Sequence, residues 1–240
     1  MDGGVFVVEG KFALQGVLSS PYALRSLLVL RRHIGALEGL PLPAGLPVYV
    51  ADEHVMAGVT GYNVHRGLLG VAGRLPERQP EELLAQLKAP LVVVVEEVND
   101  QENLGAIFRN AAAFGAGAVL LGPTCADPLY RRSVRVSLGH VLRVPFARLS
   151  PWPAALELVR KWGFVTLALI PSPLAETIEV VSRELQGSRV ALVVGAEGGG
   201  LGAPVLDMCR RVRIPMAPGV DSLNVAAATA VALHCFGSPR

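Results

Sequence analysis

From residue 90 onward the chain alternates short, almost purely aliphatic runs with stretches of helical spacing, and this alternation constrains the fold more than any other feature. The runs are PLVVVVEEV, GAVLLG, FVTLALI, RVALVVG and VRIPM. Between them lie NLGAIFRNAAAFGA, WPAALELVRKWG and GAPVLDMCRR, and LNVAAATAVALHCF closes the series. Near-continuous Val/Leu strands separated by helices predict an α/β fold whose mostly parallel sheet is covered on both faces. Ligands of such sheets sit beyond the carboxyl ends of the strands. The stretch GAEGGGLG (195–202), five glycines in eight positions with Glu197 among them, begins where the run RVALVV ends. That placement argues for a loop that approaches a ligand rather than a floppy connector.

Residues 1–73 read as a separate small α/β unit. VFVVEG, LRSLLVL, LPVYVAD and HRGLLGVAG have strand character, and KFALQGVLSS has helical spacing. Residues 74–89 are charged and carry prolines near their ends, which marks a linker with a short helix over 81–88. The expected domains are therefore 1–73, a linker at 74–89, and 90–240.

Three loops of the larger region carry candidate chemistry. The glycine loop lacks the Lys and Ser/Thr of a P-loop, and Glu197 would repel phosphate. GAGAVL (115–120) fails as a dinucleotide fingerprint because it lacks the third glycine and runs into a strand. In IPMAPGVDSLNVAAATAVAL (214–233), Asp221 or Ser222 can cap a helix beginning near Leu223, with Asn224 in its first turn. Taken alone, Ser222 and Asn224 read equally well as capping residues only. In NDQENLGAIFRNAAAFGAGAVLL (99–121), Asn103 can cap the helix and Arg109 follows nearly two turns on, beside Ile107 and Phe108. Taken alone, Arg109 fits a surface arginine snorkelling along its helix.

The charge pattern leaves room for a polyanionic partner. Net charge is only +2, but the basic residues are almost all Arg, grouped at Arg31-Arg32-His33, His65-Arg66, Arg131-Arg132…Arg135 and Arg210-Arg211…Arg213. Arginine suits bidentate phosphate contacts, although a codon bias toward Arg, Ala, Gly and Pro gives the same pattern. Three cysteines, Cys125, Cys209 and Cys235, have no metal-site spacing and read as reduced thiols. No apolar run nears the roughly 18 residues that span a bilayer, and MDGGVFVVEGKF lacks the parts of a secretory signal. Cytoplasmic location is the expectation.

Together the three loops resemble the SpoU (TrmH-like) branch of the SPOUT-class RNA methyltransferases. The motifs occur in order as NLGAIFRNAAAFGA, LVVGAEGGGLG and IPMAPGVDSLNVAAATAVAL, and DPLYRRSVRVSLGHVLRVPF is similar to the family's connection between them. VVEG and GYNVHRGLLG resemble the family's N-terminal substrate-binding domain, which is like certain RNA-binding ribosomal proteins. The chain departs from the pattern at HCFGSPR, where many relatives have an acidic residue, and at Lys11, where an apolar residue is common. The resemblance implies a trefoil-knotted catalytic domain, a homodimer, no metal, and methylation of a ribose 2′-hydroxyl with S-adenosylmethionine. Ribosomal RNA is the favoured substrate; a tRNA methyltransferase and a non-catalytic RNA-binding protein are the alternatives. By the same resemblance, backbone around Leu169, Gly195, Ile214, Met216 and Leu223 holds the cofactor. Arg109 activates the nucleophile, Asn103 positions the ribose, and Glu197, Ser222 and Asn224 complete the site.

Overall fold

A computed structural model describes residues 4–61, 66–196 and 198–237. His65 and Glu197 lie outside the described residues. In chain order the first elements are β1 (Val5–Glu9), α1 (Lys11–Leu18), β2 (Leu24–Leu30), β3 (Val48–Ala51), α2 (Glu53–Thr60) and β4 (Leu68–Gly73). Next come α3 (Pro80–Gln86), β5 (Leu91–Val95), α4 (Gln101–Ala113), β6 (Val119–Leu121), α5 (Arg131–Val136), β7 (Phe146–Arg148), α6 (Leu156–Lys161) and β8 (Phe164–Leu169). The series ends with β9 (Glu176–Thr177), α7 (Ile178–Glu184), β10 (Arg189–Val194), α8 (Ala203–Asp207), β11 (Arg210–Arg213) and α9 (Val225–Phe236).

The chain divides into two compact units, and the division is not the expected one. The first comprises residues 1–76 together with 127–143; the second comprises 77–126 and 144–240. Residues 127–143, which the sequence reading placed in the larger domain, belong to the N-terminal unit. The expected linker at 74–89 is largely structured: α3 buries Leu83 and Leu84 in the core of the second unit.

The first unit is a four-stranded sheet in the order β1-β4-β2-β3, with β4 antiparallel to both neighbours and β3 parallel to β2. Period-2 alternation sends Phe6, Val8, Leu27 and Val29 to one buried face. On the other face Met56 of α2 packs with Leu30 and Leu69. Helix α5 packs on β1 and brings Arg131 to Glu9, with Nη1 2.5 Å from Oε2, while Arg135 lies 4.0 Å from the same oxygen. Glu9 is only 4% exposed, so this carboxylate depends on arginines that come from 122 residues later in the chain. Arg74 pairs with Asp127 and ties the same excursion to the end of β4.

The second unit bears out the sheet expectation. Seven strands run in the order β7-β6-β5-β10-β8-β11-β9, and every strand pair is parallel. β5 and β10 are neighbours within the sheet, and the run Val92–Val95 is wholly buried, as strands covered on both faces must be. After β5 the chain builds outward through β6 and β7, then returns to place β8 and β10 on the opposite side. The reversal sits between β5 and β10, where a doubly wound sheet opens a crevice beyond its strand ends.

Candidate active site

The carboxyl ends of β8, β10 and β11 and the entry to α9 enclose a cavity of about 760 Å³. Leu169 ends β8 and Ile170 to Ser172 follow it, Gly195, Ala196 and Gly198 to Leu201 follow β10, Ile214 and Met216 follow β11, and Asp221 to Asn224 lead into α9, which Val225 begins. All five residues expected to hold a cofactor, Leu169, Gly195, Ile214, Met216 and Leu223, line it. Ser222 and Asn224 line it as well, whereas Arg109 and Asn103 do not.

The glycine loop is built on its own close contacts. A side chain at Gly195 would run into the carbonyl of Gly200 and the amide of Leu201. Gly200 has φ of 65°, the left-handed region that suits glycine, and its N–H donates to the Ala196 carbonyl at 3.0 Å. Around Gly198, Gly199 and Gly200 nothing lies within 4 Å of where a side chain would start, so this rim of backbone is open.

Helices α4 and α9 carry the remaining predicted residues, and their caps differ from expectation. Asp100, not Asn103, caps α4: its Oδ1 accepts from the N–H groups of Glu102 (2.7 Å) and Asn103 (2.9 Å). The cap of α9 is Asn224 rather than Asp221 or Ser222; its Oδ1 accepts from Ala226 (2.9 Å) and Ala227 (3.2 Å), and the helix begins at Val225. The short side chain of Asn suits both the extended cap backbone and the two free N–H groups. Asn224 then donates from Nδ2 to Asn103 Oδ1 at 2.9 Å, and Asn110 donates to the Ala226 carbonyl at 2.8 Å. The small side chains of α9 let it pack closely on α4, with Ala226, Thr229 and Ala232 buried. Arg109 is exposed, while its neighbours Ile107 and Phe108 are wholly buried.

The profile of the SpoU rRNA methylase family matches residues 90–234. The chain belongs to this family. A SpoU relative from Mycobacterium tuberculosis, an uncharacterized tRNA/rRNA methyltransferase, is 46% identical over 233 residues, covering 95% of this chain and 79% of its own. The 23S rRNA (guanosine-2′-O-)-methyltransferase RlmB of Vibrio cholerae is 33% identical over 173 residues, covering 70% of this chain and 68% of its own. Among solved structures, the SpoU methyltransferase AviRb from Streptomyces viridochromogenes, in complex with AdoMet, superposes with a TM-score of 0.82 at 20% identity. It covers 97% of this chain and 89% of its own, and shows the shared fold.

Sequence reasoning missed several residues that support these loops from outside the cavity. Glu96, 6% exposed at the end of β5, accepts hydrogen bonds from Trp152 Nε1 (2.8 Å) and from the Gly202 N–H (2.9 Å). A carboxylate directly after LVVVV, at the carboxyl end of an inner strand, was the available signal. Trp152 had none, because its approach depends on tertiary packing. Asp100 stands just before Gln101 and Glu102, the ordinary signature of a helix start. Burial raises the thiols of Cys125 and Cys209 above their usual range, which suits neither to nucleophilic work.

Proposed function

We propose that the chain transfers a methyl group from S-adenosylmethionine to a ribose 2′-hydroxyl of structured RNA, ribosomal RNA foremost. The observation that carries this reading is the convergence of the five cofactor positions on one cavity from loops as far apart as residues 169 and 223. The cavity fits the cofactor in character. Leu169, Ile170, Ile214 and Met216 offer apolar surface to an adenine ring, and the bare backbone of Gly198 to Gly200 offers hydrogen-bonding groups to polar arms. AdoMet bound to a protein of the same fold supports the assignment, as does the guanosine-2′-O activity named for RlmB.

Once bound, the cofactor would supply a methyl group on a sulfonium, and its displacement would yield a neutral sulfide. The remaining work is done by the protein: holding the ribose and stabilising the 2′-oxygen as its proton passes to solvent water. Asn103 and Asn224 position the ribose, each holding the other's amide in orientation. Arginine side chains act as hydrogen-bond donors and point charges rather than as bases, and Arg109 is assigned no proton transfer. Its role is to hold the flanking phosphate and to stabilise charge developing on the 2′-oxygen. Glu197 and Ser222 order the loops against cofactor and RNA.

The knot and the homodimer belong to the same proposal, with the exposed side of α4 and the small-residue α9 in the dimer contact. The N-terminal unit captures RNA through Lys11, Arg25, Arg31, Arg32 and Arg66. Incubation with labelled S-adenosylmethionine and separated rRNA and tRNA fractions tests the reading. Label recovered in a 2′-O-methylnucleoside from rRNA is the expected result. Label in tRNA alone changes the substrate, and no label in either RNA overturns the activity.

A further inference from the structure

The glycine loop is held at both ends by one residue. Its last anchor before the loop is Val194, whose carbonyl accepts from the Glu96 backbone N–H at 2.9 Å. Its first anchor after the loop is Gly202, whose N–H donates to Glu96 Oε2 at 2.9 Å. Between them run residues 195–201, and all six described residues of that stretch line the cavity. The other carboxylate oxygen, Oε1, accepts from Trp152 Nε1, so the side chain that reaches Gly202 is itself fixed in direction. Gly202 has no side chain to interfere: a Cβ there would lie 3.4 Å from Oε1.

We infer that Glu96 is a positioning residue, which sets the shape of the glycine loop for the cofactor without touching the reacting atoms. The inference rests on the S-adenosylmethionine reading of the cavity. The chemistry asks for a carboxylate. Two N–H donors converge on one side chain, and only a carboxylate offers two acceptors and no donor. Glutamine would set its own NH₂ against one of the two donors. Aspartate would reach one of them at most. In a buried setting each unmade bond is felt, and the loop end at Gly202 is where that loss reaches the cofactor.

Calorimetric titration with S-adenosylhomocysteine, paired with thermal melting, separates positioning from plain stabilisation. Trp152→Phe removes the bond to Oε1 and leaves the Gly202 tie; Glu96→Leu removes both acceptors. Both variants are expected to melt below wild type. Only Glu96→Leu should weaken binding by about tenfold, with Trp152→Phe within about twofold. In turnover assays, Glu96→Leu should raise the cofactor KM and leave kcat within about twofold. Equal, small changes in Kd for both variants would reduce Glu96 to a stabilising residue and overturn the inference. Where Glu96→Leu does not fold, Glu96→Asp is measured instead, and an unchanged Kd there overturns it equally. A wild-type protein that binds no S-adenosylhomocysteine removes the cofactor reading itself, a failure distinct from either.

Discussion

Asn224 joins two helices through one amide: Oδ1 caps α9, and Nδ2 donates to Asn103 on α4. The two halves of the side chain can therefore be removed separately. Asn224→Ala should cost about 1 kcal/mol of stability through the lost cap and abolish the bridge. Asn224→Asp keeps the capping oxygen beside the positive end of the helix but sets an acceptor against Asn103. Melting near the wild-type temperature with a clear loss of methylation is the expected result. Wild-type methylation by the Asp variant would show that the bridge has no part in catalysis.

Arg109 is exposed, so its removal should leave folding nearly untouched, within about 0.5 kcal/mol. Arg109→Ala is expected to bind S-adenosylhomocysteine like wild type and to lose methylation by orders of magnitude. Arg109→Lys retains the charge without the planar fork. Full activity in the Lys variant would leave a simple electrostatic role and exclude bidentate phosphate contact.

The pair of loops nearest the cavity were legible in the sequence because their chemistry is local. Glycines following an aliphatic run, and a polar turn ahead of an alanine helix, keep their meaning whatever surrounds them. The parallel sheet was legible for the same reason, since Val92–Val95 is apolar at every position. The caps were misplaced by two to three residues because Asp100, Asn103, Ser222 and Asn224 all have capping chemistry, and backbone conformation chooses among them. The partners of Glu96 and the allegiance of residues 127–143 were not legible at all. A buried carboxylate and its N–H donor lie 106 residues apart, and Glu9 and Arg131 lie 122 apart; no local pattern encodes either pairing.

That allegiance alters what truncation should do. A plain linker at 74–89 would let residues 1–73 be removed cleanly. Removal to residue 76 instead strips β1 from α5, uncovers Leu129, Val134, Val141 and Leu142, and leaves Arg131 and Arg135 without Glu9. The truncated protein should bind an apolar dye and aggregate more readily than the full chain. In the full chain, Glu9→Ala should cost about 2 kcal/mol in denaturant melts, as expected when one partner of a largely buried charged pair is lost. A truncated protein as soluble and as dye-free as the full chain would contradict this.

Arg210 donates to both Glu176 and Glu184, fastening β9 and α7 to β11. These hydrogen bonds hold both carboxyls below the usual carboxylate range and push the guanidinium further up. Because the folded values are depressed, the stabilisation is complete above the unfolded carboxylate range and disappears as pH falls through the folded values. The group is exposed, so the effect is small and salt-sensitive. Melting temperature between pH 7 and pH 3 should fall less steeply in Arg210→Met than in wild type. Parallel curves for the two proteins would show that the cluster contributes nothing to acid sensitivity.

The excursion of residues 127–143 also sets an order of events during synthesis. When residue 76 has left the ribosome, the face of β1 that will receive α5 is still bare, and Glu9 has no counter-charge. The missing piece is complete only 67 residues later, the difference between 143 and 76. At ~5–20 residues per second, that interval is roughly 3–13 s. Through it the nascent N-terminal unit presents apolar surface beside an unpaired acid. Throughout that window the half-made protein is a natural client for chaperones, and codon choice between residues 77 and 143 sets how long it remains one.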